Sequence, residues 1–372
     1  VRVQQTKRQK EKQLVSEEKA RWRFGVKRWI VLALILLGVY ASYIGPTILQ
    51  PISPVVVLPA EPTGLTIFGF EITNTILATL IADVVLILMA IGAYRFYRSG
   101  NLVPKGFLNA FEAIIQFLWD TVEGATGKWA SRIFPLVGTI FMLIFVANMV
   151  KLVPGFESIG YLIEAHKDPA YAPVKLFQVG SLEVYTIDKG QPVPVEEHGE
   201  EHGSESGAAG THAVEDDHGA PCHACEVVPY LRGSATDLNF TFALAVVAVV
   251  MTQVYGVMAL GPSYFNKFFQ FKQLVTGGIF GIIDFGVGFL ELILEFAKIL
   301  SFSFRLFGNI FAGALLLSIV GALLPIIIPP GLYLFEIFFG LIQAYVFYLL
   351  ATMFISMALV SHHGDDHGDE HH

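Results

Sequence analysis

LVTGGIFGIIDFGVGFLELILEFAKILSFSFRLFGNIFAGALLLSIVG, residues 274–321, is a 48-residue stretch of nearly unbroken apolar sequence. As one helix it would extend about 72 Å at 1.5 Å per residue, against a hydrocarbon core of about 30 Å. Without its glycine-rich opening (Gly277, Gly278, Gly281, Gly286, Gly288), the remainder from Phe289 is still too long for an upright span. Such a helix lies steeply tilted or partly along the membrane, against something curved. Within it stands Arg305, whose guanidinium cannot be deprotonated at any relevant pH. Holding that cation at mid-membrane costs roughly 2.5–3.5 kcal/mol on insertion scales, which marks the residue as functional. The nearest acids on the segment are Glu295 and Glu291, ten and fourteen residues away, so the counter-charge is expected from another helix or another chain.

The rest of the chain agrees with a polytopic membrane protein. Of its 372 residues 54% are hydrophobic and 15% charged, where soluble domains have about 25% charged. Six apolar segments can be read, at 29–45, 76–94, 133–153, 237–260, 274–321 and 326–360. The first 28 residues hold ten Lys/Arg against three acids. Arg95, Arg98 and Lys105 follow the second segment, and Lys267 and Lys272 the fourth, while 46–75 and 322–331 contain no Lys or Arg. By the positive-inside rule both termini face the cytoplasm and 154–236 lies outside. The first segment has a second reading as a signal peptide, with a basic leader, the apolar run Trp29 to Val39 and the small-residue site Val39-Tyr40-Ala41. Residues 107–130 alternate apolar and polar side chains at helical spacing, which predicts an amphipathic helix at the cytoplasmic interface.

Several local patterns carry little. Gly124-Ala125-Thr126-Gly127-Lys128 resembles part of a phosphate loop, but Val122 stands where the first Gly is required and Trp129 where Ser or Thr is. No nucleotide site or other cofactor is expected. Cys222 and Cys225, with His218 and His223 nearby, fit a disulfide or a weak zinc clip, or a solvated low-complexity insertion that tolerates them. Glu226 in place of His argues against haem attachment. The His-rich end 361–372 reads as a polar tail.

On a helical wheel, residues seven apart drift by only about 20°. Glu291, Lys298, Arg305 and Ala312 therefore form one stripe, joined by Ser301 and Asn309 at i−4 and i+4 of Arg305. In the next segment Glu336 and Gln343 share a face, with Tyr333 one turn earlier. Pro325, Pro329 and Pro330 break the chain between the two, so they run antiparallel. Taken singly, Glu291 and Lys298 also fit snorkelling groups, Asn309 and Gln343 interhelical hydrogen bonds, and Glu336 a wet outer position. Arg305 has no such ordinary reading.

Ser303-Phe304-Arg305-Leu306-Phe307-Gly308-Asn309 with Ala312-Gly313 resembles the signature of subunit a of F-type ATP synthases. Phe134-Pro135-Leu136 leading to Asn148 and Val153-Pro154-Gly155, Ala235-Thr236-Asp237-Leu238-Asn239, and Gln343-Ala344-Tyr345-Val346-Phe347 running to Ser356-Met357-Ala358 agree in order. The resemblance covers about 65–360. It implies a proton-translocating stator subunit, not itself catalytic, facing a ring of c subunits that each carry a membrane carboxylate. Peripheral-stalk b subunits and the lipid bilayer are the other implied partners, nucleic acid is not one, and the location is a bacterial plasma membrane. Arg305 would face the ring between two half-channels, with Asn309, Gln343 and Glu336 in the outer path and Glu291 and Ser301 toward the inner one. Some members carry an ionisable residue where Ala314 stands and a His where Glu336 stands, leaving Glu336 as the sole expected titratable relay of the outer path. The fold class is thus an all-α membrane protein with about six hydrophobic helices, a long tilted antiparallel hairpin (274–321 and 326–360) and one interfacial helix. Its expected organisation is a basic tail 1–28, an extra span 29–45, first membrane helices 65–153, an external insertion 154–236, a channel core 237–360 and the tail 361–372. A secondary transporter binding an anion at Arg305 would require internal repeats, and none is found. A membrane-anchored metal sensor would leave Arg305 unexplained.

Overall fold

The computed structural model describes residues 28–40, 42–47, 50, 60–67, 69–98, 106–153, 155–165, 170–180, 182–193, 222, 224–268, 278–323 and 328–360. The basic leader 1–27, His218, His223, Pro325 and the tail 361–372 lie outside them. The chain divides into two compact units, one of 1–55, 162–227 and 316–333, the other of 56–161, 228–315 and 334–372.

The second unit holds most of the helical membrane part. Its elements are a short hairpin, β1 (Pro62–Ile67) and β2 (Phe70–Thr73), then helices α2 (Asn74–Arg98), α3 (Phe107–Thr126), α4 (Ala130–Val150) and α5 (Leu238–Leu260). The long α6 (Gly278–Leu323) belongs to it as far as Leu315, and α7 (Pro329–Leu359) from Leu334 onward. Ile133, Val137, Ile144, Leu306, Phe347 and Tyr348 form the centre of its core, each buried almost completely. Around that centre the usual pattern is inverted: α2 buries Asn74, Thr75, Ala78 and Ala82 while Ile76, Leu80, Val84, Ile87 and Leu88 point outward. In lipid no hydrophobic force favours burying the large side chains, so small residues take the contacts and polar ones tie helices together. Thr75 donates to Asp237 at 2.9 Å, Tyr255 to the Arg132 carbonyl at 2.9 Å, and Ser356 to the Ala125 carbonyl at 2.7 Å. Tyr348 donates to the Leu118 carbonyl.

Among the described residues five helical segments are long and apolar enough to cross a membrane: Asn74–Arg98, Leu108–Val150, Leu238–Phe265, Phe285–Leu323 and Pro329–Leu359. The chain is a mostly helical, multi-pass integral membrane protein. The sixth expected segment, 29–45, gives a helix α1 of only Arg28–Tyr40, about 20 Å at 1.5 Å per residue and shorter than the core. Helix α3 falls within the expected amphipathic stretch 107–130, burying Leu118 and Val122 while Gln116, Asp120 and Glu123 face outward. Helix α6 has 46 residues, about 69 Å, and so cannot stand upright in a bilayer.

The insertion 154–236 contains a sheet. Strands β3 (Gly160–Glu164), β4 (Ala170–Val179), β5 (Leu182–Val193) and β6 (Cys225–Pro229) form a sheet of order β3-β6-β4-β5. Across the β4–β5 hairpin Lys175 pairs with Glu183 at 2.6 Å, and this contact, then the Tyr185 hydroxyl, holds the Glu183 carboxyl below its ordinary range. Alternation in β4 and β5 was hidden in the sequence by Pro173 and by two register shifts in their pairing.

Asp237 explains one signature stretch. It is the N-cap of α5, accepting from the Asn239 amide at 2.9 Å, and it also receives the Thr75 hydroxyl. Asp237→Ala is expected to lower stability by about 1–2 kcal/mol, the usual cost of a lost cap, measured by thermal unfolding in detergent.

Candidate functional site

Along α6, Phe302, Ser303, Leu306 and Ile310 are buried, and the Phe302 ring packs on Phe347 at 4.7 Å. The other face carries Ser301, Arg305, Asn309 and Ala312, all exposed, flanked by exposed Phe296, Leu300 and Phe304. Arg305 thus projects from the outward side of the helix. Among the described residues it takes part in no ion pair.

Two polar clusters bracket it. On one side Asn309 donates to the Gln343 carbonyl oxygen of α7, and the Gln343 amide nitrogen, buried, finds no partner among the described residues. Four residues beyond Asn309, a Cβ on Gly313 would lie 3.5 Å from the Glu336 carboxylate. Glu336 is buried and forms an ion pair with Lys151, which follows α4 directly. Helices α4 and α7 meet tightly at this level: a Cβ on Gly340 would approach Asn148 Cβ to 3.1 Å, and the Asn148 amide donates to the Gly340 carbonyl at 3.4 Å.

On the other side, Glu295 is buried and receives hydrogen bonds from Lys298 at 2.7 Å and from Gln253 of α5 at 2.8 Å. Tyr264 donates to Gln253 at 2.7 Å, and Lys298 also lies 4.8 Å above the Phe354 ring, a cation–π distance. Along α6, Arg305 is about 15 Å from Glu295 and about 12 Å from Gly313 at 1.5 Å per residue. The two clusters therefore stand about 27 Å apart, close to the depth of a bilayer core.

Residues 75–356 match the family model described as ATP synthase A chain. The chain belongs to the ATP synthase A chain family. The family is the proton-translocating stator subunit of the membrane sector Fo, an ion-channel part rather than the catalytic one. The matched stretch contains every residue of both clusters.

Of the residues read from the sequence, Asn309 and Gln343 come together, Glu336 lies two turns before Gln343 beside Gly313, and Arg305 sits between the clusters on the free face. Ser301 shares that face. Glu291 is half-buried, but the deeply buried acid of its end is Glu295. Glu336 is paired with Lys151, and Tyr333 is exposed. Lys151 was legible as a cation near the end of the apolar segment 133–153, and Glu295 sat three residues from Lys298 in plain view. Gln253 and Tyr264 had no sequence signal. Cys222 and Cys225 form a disulfide, so their sulfurs are not available as zinc ligands, and no cluster able to hold a metal is found among the described residues.

Gly256 makes room for the Tyr264 ring, which a Cβ would overlap. Gly256→Ala is expected to displace Tyr264 from Gln253 and cost about 1–3 kcal/mol, the range for overpacking, read by thermal unfolding of the purified complex.

Proposed function

We propose that this chain forms two half-channels carrying protons to and from the carboxylates of a rotating c-ring, with Arg305 as the electrostatic gate between them. The observation that carries this reading is the outward position of Arg305 on an over-long helix, between two polar clusters roughly a bilayer core apart. A cation that cannot lose its proton, set on an outward face, requires an anion supplied by a partner. A ring carboxylate passing Arg305 is drawn into its charged form and gives up its proton to the inner path, lined by Glu295, Lys298, Gln253 and Tyr264 with Glu291 and Ser301 nearby. After passing, it accepts a proton from the outer path through Asn309, Gln343 and Glu336, and turns neutral into lipid. The unpartnered amide of Gln343 favours water in that path, since a buried donor without a partner is costly. The positive charge of Arg305 also opposes a direct proton leak between the two paths.

The direction agrees with the charge pattern. Glu336 in the second turn of α7 adjoins the short connection 322–331, which contains no Lys or Arg, so this end is external and both chain termini are cytoplasmic. Peripheral-stalk b subunits hold the chain against rotation, the membrane is a bacterial plasma membrane, and nucleotide chemistry belongs to other subunits.

Arg305→Ala is expected to abolish proton-driven ATP synthesis by the complex in reconstituted vesicles while ATP hydrolysis by the detached catalytic sector continues. Full synthesis by that variant would reject the reading.

A further inference from the structure

We propose that Lys151 is a positioning residue of the outer proton path, holding the Glu336 carboxylate against α6 so that it hands protons on toward the Asn309–Gln343 pair. The inference rests on the half-channel reading above and assigns a role to a residue that reading does not use.

The geometry begins with the α4–α7 contact. Gly340 and Asn148 fix the two helices in register by close approach and a 3.4 Å hydrogen bond. Lys151 lies three residues beyond Asn148 and Glu336 four residues before Gly340, so an antiparallel pair brings them to one level. The same register pairs Phe141 with Tyr348 farther along, their rings 6.0 Å apart. Lys151 stands at the C-terminal end of α4, where the helix carbonyls favour a cation. Its stem needs Gly233: a Cβ there would lie 3.0 Å from Lys151 Cδ and 3.3 Å from the Glu157 carboxylate, which instead accepts the Gly233 amide at 3.1 Å. The lysine side chain is 4% exposed and that of Glu336 8%, so neither head group is an interfacial snorkel.

A packing strut alone would not need this position. The carboxylate meets the gap left by Gly313 on α6, one turn beyond Asn309 and two turns beyond Arg305. Without a counter-charge, a carboxylate so deeply enclosed would be expensive to keep there, and the side chain would turn elsewhere. With Lys151 it is held at one place on the helix that carries the gate. In a transfer event the Glu336 oxygen accepts a proton from water on the outer side and releases it to the next acceptor, while Lys151 keeps its own proton throughout.

The test uses the whole complex in vesicles stripped of the catalytic sector, with passive proton flux measured per assembled Fo. Lys151→Met is expected to lower flux roughly ten- to a hundredfold, the scale of a catalytic group misplaced by about 1 Å, and Lys151→Arg to restore most of it. Wild-type flux in assembled Lys151→Met overturns the inference, as does an Arg variant no better than Met. Where Lys151→Met does not assemble, the double variant Lys151→Met with Glu336→Gln removes both charges and is expected to assemble with low flux. Wild-type flux in that double variant excludes the pair from the path. Either failure leaves the Arg305 reading standing if Arg305→Ala remains inactive, whereas an active Arg305→Ala removes the half-channel reading itself.

Discussion

A guanidinium at lipid depth retains its proton, and on α6 it faces away from the protein's own core. The helix is therefore organised around a charge it does not itself neutralise. Its buried side, Phe302, Leu306 and Ile310, fastens it to α7 by ordinary apolar packing, which leaves the Arg305 side available as a surface. Its length gives that surface extent, because 46 residues cover more than twice the thickness of the hydrocarbon core.

The other charges obey the opposite rule. Lys151 and Glu336, and Lys298 and Glu295, are paired inside the chain, as buried ions must be when water is excluded. Removing one member of the buried Lys151–Glu336 pair strands the other, at a cost of about 3–5 kcal/mol, so that pair fixes α7 against the end of α4, whereas Lys298 and Glu295 stand on one helix. The chain thus contains two polar clusters whose charges are paired and, between them along α6, one cation with no ion pair among the described residues.

Glycine decides where these groups can meet. Gly340 lets α7 close on Asn148, Gly313 opens α6 to Glu336, and Gly256 admits Tyr264 beside Gln253. Where lipid supplies no hydrophobic force between helices, such close approaches and a few hydrogen bonds determine the register. The sheet follows different physics, with backbone ladders and the Lys175–Glu183 pair joining its strands.

By itself the sequence determined the membrane class, the positions of the long helices, the over-long α6 and the importance of Arg305, because each follows from hydropathy, length and a charge that cannot be shed. It also placed Asn309, Glu336 and Gln343 on matching faces, since helical periodicity is local. Only the tertiary structure decided that Lys151 reaches Glu336 across 185 positions and that Gln253 reaches Glu295 across 42. Those pairings depend on which helices lie side by side and at what level. That is set by small-residue contacts such as Gly340 against Asn148, which leave no periodic trace in the chain.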